Sequence, residues 1–153
     1  MIDIHRKYLL LAHSLAYKNF GKTFPNPSVG CLIVKNNKII SKSVTASAGR
    51  PHAEEIALKK TSRKLFGASM YVTLEPCNHK SSNGSCTDQI IRSGISKIFI
   101  ATIDKDYRTN GKSINVAIVQ RQNDNPTGGI SWWTARPRTM PIDHVSTVAA
   151  ISA

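Results

Sequence analysis

The chain has 153 residues, 41% of them apolar, enough for one domain with a buried core and too few for two full-sized ones. Lys and Arg outnumber Asp and Glu by 21 to 9, a formal charge of +12 that favours anionic partners: nucleic acid, a phosphorylated metabolite or a membrane surface. Three cysteines exclude a disulfide-dense scaffold and point to a reducing, cytoplasmic setting with a metal or catalytic role, and no apolar run approaches the ~20 residues that span a bilayer.

The N-terminal stretch His5-Arg6-Lys7 followed by Tyr8 to Ala12 superficially resembles a secretory leader, but His13 and Ser14 interrupt it. Ile4, Tyr8, Leu11, Ala12 and Leu15 fall at helical spacing behind Asp3 as a candidate N-cap, which predicts an amphipathic core helix. Gly21 and Pro25-Asn26-Pro27 break that pattern. A β-branched run at 29–34, then Asn36-Asn37, then a second apolar run at 39–44 predict a hairpin turned by residues that tolerate positive φ. A helix is expected from about His52, behind Pro51, with Ala53, Ile56, Ala57 and Leu58 as its apolar face. Tyr71–Leu74 reads as a strand, Thr87–Ser93 as a helix stopped by Gly94, and Ile98–Ile103 as a buried strand. Such alternation predicts an α/β domain with at least one parallel pairing.

After Ser113 the composition changes. All thirteen lysines lie at or before Lys112, both tryptophans sit together at Trp132-Trp133, 122–129 is turn-rich, and 136–141 has no period. The expected organisation is a domain over 1–113 and an atypical tail over 114–153, in which 114–119 is a candidate strand. The basic residues are mostly dispersed pairs, such as Arg6-Lys7 and Lys59-Lys60, which reads as a solvated surface before a functional patch.

The chemistry lies in His52-Ala53-Glu54, Glu75-Pro76-Cys77 and Cys86. One imidazole and two thiolates suit Zn²⁺ and leave a fourth tetrahedral position open, as in catalytic sites. Zinc there brings water from a pKa of 15.7 to about 7, which makes hydrolysis the natural reaction. Glu54 is then free to move protons: from water, to a ring nitrogen, and to a departing amine. His-x-Glu ahead of Pro-Cys and a further Cys is the signature of zinc-dependent base deaminases, although here the cysteines are nine positions apart. Cys31, between Gly30 and Leu32, reads as a small buried hydrophobe. His79 is equally compatible with binding substrate, filling a loop or facing solvent.

Residues 1–113 resemble the deaminase domain of the bifunctional riboflavin-biosynthesis deaminase/reductase, of the cytidine-deaminase-like fold. The resemblance rests on Pro25-Asn26-Pro27-Ser28-Val29-Gly30, Gly49-Arg50-Pro51-His52-Ala53-Glu54, Tyr71 through His79, and the eight residues between Cys77 and Cys86; cytidine and transfer-RNA deaminases typically have two there. It implies a three-layer α-β-α domain with a mixed central sheet and zinc on His52, Cys77 and Cys86. It further implies acid/base work by Glu54 and substrate contacts near Asn26, His79 and Asp104. The implied reaction is hydrolytic deamination of 2,5-diamino-6-ribosylamino-4(3H)-pyrimidinone 5′-phosphate. The sequence departs from that family in having Thr45 where a histidine is usual, and Ser82 where the cysteine loop carries a base, which leaves Lys80 as the nearby cation for a phosphate. No reductase domain is recognisable after residue 113. The expected partner is a small phosphorylated pyrimidine, with no membrane and a homo-oligomer left open. A nucleic-acid base deaminase acting on transfer-RNA adenosine or cytidine, and a truncated relic with a structural zinc, stand as alternatives.

Overall fold

The computed structural model describes residues 4–61, 65–79, 84–110 and 112, and the backbone of 131–134 and 149–152. Helix α1 (Ile4–Lys18) leads into a hairpin, β1 (Gly30–Lys35) and β2 (Lys38–Val44), followed by helix α2 (Ala53–Lys59), strand β3 (Ser69–Val72), helix α3 (Cys86–Ser93) and strand β4 (Lys97–Ile100). Strands β5 (Ser131–Thr134) and β6 (Ala149–Ser152) complete a sheet of order β2-β1-β3-β4-β6-β5. β3 and β4 are parallel and the other neighbours antiparallel, so the sheet is mixed.

Period-two alternation along the central strands builds three layers. Cys31, Ile33, Met70, Val72, Ile98 and Ile100 face one way and pack with Ala53 and Ala57 of α2 and Ile90 of α3. Leu32, Val34, Tyr71 and Phe99 face the other way and pack under Tyr8, Leu9 and Ala12 of α1. Strands covered on both faces are apolar on both faces, and β1 accordingly buries Cys31 and Ile33 on one side and Leu32 and Val34 on the other.

The hairpin turns at Asn36 and Asn37, both at positive φ, as expected. α1 buries Tyr8, Leu9, Ala12 and Ala16, whereas Ile4 and Leu11 are exposed. The expected apolar face is therefore rotated: Tyr8 and Ala12 stay on it, Leu9 and Ala16 join it, and Ile4 and Leu11 leave it, because the helix is seated with its Ala12 backbone against Gly30 of β1. A Cβ on Gly30 would lie 2.0 Å from the Ala12 carbonyl oxygen, so only glycine fits that contact. β3 runs two residues earlier than expected, β4 stops at Ile100, and α3 starts at Cys86. Gly94 ends α3 in the left-handed conformation, φ 81°. Asp3 and 114–119 lie outside the described residues, as do the turn-rich 122–129 and Arg136–Pro141; Trp132 and Trp133 fall within β5.

The register brings four loops to one end of the sheet. Gly30 pairs with Val44, Cys31 with Val72, and Val72 with Ile100. The segments before β1 and after β2, β3 and β4 therefore converge there. Ser41 and Ser43 of β2 donate to the carbonyls of Ala57 and Ala53, at 3.0 and 2.7 Å, clamping α2 so that its first turn reaches the same end.

Candidate metal centre and cavity

A cavity of about 470 Å³ opens where those loops meet. His52 caps α2 with extended backbone, and its amide donates to the Glu55 carboxylate at 2.8 Å, which fixes the entry to the helix. α3 has its own capping box, with Ser85 accepting from the Asp88 amide at 3.0 Å. Cys86 is the first residue of that helix. Its amide points at Cys77 Sγ, 3.5 Å away, and both the amide and hydroxyl of Thr87 donate to the Cys77 carbonyl.

Ligand atoms of His52, Cys77 and Cys86 all lie within 4.8 Å of one another, and His52 Nδ1 is 3.4 Å from Cys86 Sγ. A tetrahedral zinc with bonds of about 2.1 Å to nitrogen and 2.3 Å to sulfur spaces such ligands ~3.5 Å apart. The donor set fits zinc in both chemistry and spacing. The Cys86 thiol hydrogen-bonded to Cys77, together with His52, brings the Cys77 thiol down to about 4; the same bond and burial push Cys86 up. His52 is raised, chiefly by its bond to Cys77 and against the effect of burial. Glu54 lies two residues on, 4% exposed yet on the cavity wall, and burial pushes its carboxyl up to about 7.

Residues 2–102 match the family described as the cytidine and deoxycytidylate deaminase zinc-binding region. The chain belongs to that family. Within it, this deaminase domain is of the riboflavin-biosynthesis type. It is 46% identical over 112 residues to riboflavin biosynthesis protein RibD of Aquifex aeolicus, covering 73% of this chain and 32% of that one. It is 39% identical over 109 residues to the diaminohydroxyphosphoribosylamino-pyrimidine deaminase of Buchnera aphidicola subsp. Schizaphis graminum, covering 71% of this chain and 74% of that protein. The deaminase/reductase structure from Thermotoga maritima superposes with TM-score 0.69 at 37% identity, over 74% of this chain and 33% of that one. The chain thus spans about a third or less of the RibD relatives it matches.

The cavity gathers most of the residues singled out from sequence. Asn26, His52, Glu54, Cys77, His79 and Asp104 all line it, while Cys86 is buried behind. Asn26 is held by donating to the Gly49 carbonyl at 3.0 Å. Gly49 has φ 84°, and a Cβ there would lie 2.4 Å from the Asn26 amide nitrogen. The Nδ1 atom of His79 is buried without a hydrogen-bond partner among the described residues, so its polarity is unspent. Lys80 and Ser82 lie outside the described residues.

Thr45 also lines the cavity, but its hydroxyl is engaged with the backbone, accepting from the Val29 amide at 2.9 Å. Sequence reasoning did not assign Arg50, Glu75, Asp106 or Arg108 to the site, yet all four line it. For Arg50 and Glu75 the available signal was adjacency to His52 and Cys77. Asp106 and Arg108 had none, because only the parallel β3–β4 pairing brings their loop across.

Proposed function

We propose that this chain catalyses hydrolytic deamination of 2,5-diamino-6-ribosylamino-4(3H)-pyrimidinone 5′-phosphate in riboflavin biosynthesis. The observation that carries the reading is the clustering of His52 Nδ1 and the Cys77 and Cys86 sulfurs beside a buried carboxyl, at the wall of a nucleotide-sized cavity. The likeness to named diaminopyrimidine deaminases supports the substrate class. His52, Cys77 and Cys86 hold zinc in this proposal. Bound there, zinc supplies Lewis acidity that brings water within reach of ionisation at neutral pH.

Glu54 does the proton work. With its carboxyl near 7 it is poised to take one proton from the attacking water and pass it to the ring nitrogen, then to take the second from the oxygen newly bonded to carbon and pass it to the amino group, which leaves as ammonia as the C–N bond breaks. His79, through its Nδ1, meets the ring edge, and Asn26 and Asp104 line the cavity as further substrate contacts. We assign this function to a domain over 1–113, onto whose β4 the later segment adds β6 and β5; limited proteolysis cutting first between residues 120 and 141 and leaving a zinc-bound core would support treating 114–153 as an addition to that domain.

The test is an ammonia-release assay on the zinc-loaded protein, offering the riboflavin intermediate, cytidine and an adenosine-containing transfer RNA side by side. Turnover of the intermediate is expected. Turnover of transfer RNA alone, or of nothing, overturns the proposal.

A further inference from the structure

The cavity is acidic in its interior, where a substrate phosphate would be repelled. Glu54, Glu75 and Asp104 line it, Asp106 stands at its rim, and among the described residues only two permanent cations line it, Arg50 and Arg108. Both are exposed, so they stand at its mouth rather than at its floor.

Arg108 is hung there by a relay of carboxylates. The amide of Asp104 donates to Glu75 Oε2 at 3.3 Å, the amide of Asp106 to Asp104 Oδ1 at 3.0 Å, and the amide of Arg108 to Asp106 Oδ1 at 2.9 Å. Glu75 is in turn anchored, its amide donating to the Thr102 carbonyl at 2.9 Å. The guanidinium closes the relay by gripping Asp106 through Nε and Nη2, so the Nη1 edge takes no part in that pair. A guanidinium carries five donors in a fixed fork. One edge held by a carboxylate leaves the other preset for an anion.

We propose that Arg108, positioned by Asp106 and assisted by Arg50, reads the phosphate of the substrate and makes this site selective for phosphorylated over unphosphorylated nucleosides. The inference rests on the deaminase reading for its substrate, and the cation it names differs from the Lys80 suggested by sequence proximity. A phosphate near neutral pH carries ~1.5–2 negative charges and three acceptor oxygens, which the two guanidinium groups match and the carboxyls of Glu54, Glu75 and Asp104 exclude from the interior. The sugar and base then point inward toward His79 and the metal ligands.

The experiment is an NMR titration of the full zinc-loaded chain with ribose 5-phosphate and with ribose, which reads the rim without turnover. The wild type is expected to prefer the phosphorylated sugar. Arg108→Gln and Arg50→Gln each lower that preference about tenfold, as expected for loss of a charge-assisted contact, and the double variant abolishes it. Circular dichroism verifies that the variants are folded. With the pyrimidine substrate, the same changes raise KM more than they lower kcat. A preference absent in the wild type, retained within twofold in the double variant, or lost only in Lys80→Ala overturns the inference. Failure of the deaminase reading has a different signature: no ammonia from the diaminopyrimidine, while an arginine-dependent preference for ribose 5-phosphate persists.

Discussion

His52 Nδ1 lies 3.4 Å from Cys86 Sγ, although 34 positions separate the two residues in the chain. Each stands at the start of a helix, His52 as the cap of α2 and Cys86 as the first residue of α3. Both helices pack on the same face of the sheet, through Ala53, Ala57 and Ile90. The contact between the two ligand candidates therefore follows from the way the helices are seated.

The first prediction concerns metal content. Purified protein should hold about one zinc per chain by elemental analysis, and Cys77→Ser or Cys86→Ser should lose most of it, since each removes one of three protein ligands. Chelation should also lower the melting temperature, because a metal held by these three residues would tie the loop after β3 to the starts of α2 and α3. Full metal retention in either serine variant counts against the assignment.

Glu54→Gln should behave differently, keeping its zinc and its melting temperature while losing turnover by about 10²–10⁴-fold, as expected when proton transfer is removed. Zinc loss in this variant identifies Glu54 as a ligand instead.

Two contacts near the cavity set local stability. Thr45→Val removes the acceptor of the Val29 amide at a site 2% exposed, and should cost about 1–3 kcal/mol in denaturant unfolding. Gly30→Ala places a methyl 2.0 Å from the Ala12 carbonyl oxygen and should cost at least about 1–3 kcal/mol, because backbone rather than a flexible side chain must move. An unchanged unfolding midpoint in either variant refutes the corresponding contact.

Glu55 supplies a pH signature. Burial pushes its carboxyl up, but the His52 amide and the Gln89 side chain outweigh that and hold it below the ordinary 4.5. A carboxyl whose folded value is depressed contributes stability that is complete above its unfolded value and disappears as pH falls through the folded one. Glu55→Ala should therefore cost about 1 kcal/mol at neutral pH, and the gap to wild type should narrow on acidification below 4.5. Glu55→Gln retains an acceptor for the His52 amide without a titrating group, so its unfolding curve should lack that acid-side component. A gap independent of pH in the alanine variant removes Glu55 from the cap.

The cluster of His52, Cys77 and Cys86, the carboxyl at Glu54 beside it and the alternation of helices with strands were all legible in the sequence. Each is a local signal: His52-Ala53-Glu54 behind Pro51, Glu75-Pro76-Cys77 after an apolar run, and Asn36-Asn37 between two others. Such patterns carry residue chemistry and period, which the chain determines over a few positions. The tertiary structure decided which face of α1 is buried, because the Ala12 backbone against Gly30 is a contact between distant segments that no helical period encodes. It also decided the rim of the cavity. Arg108 is two positions from the aspartate that holds it and unremarkable in sequence, and it reaches the cavity because β4 lies parallel to β3 and delivers its following loop beside Cys77 and His79. Charge at a site is a property of what converges in space, whereas a run of residues records only its own.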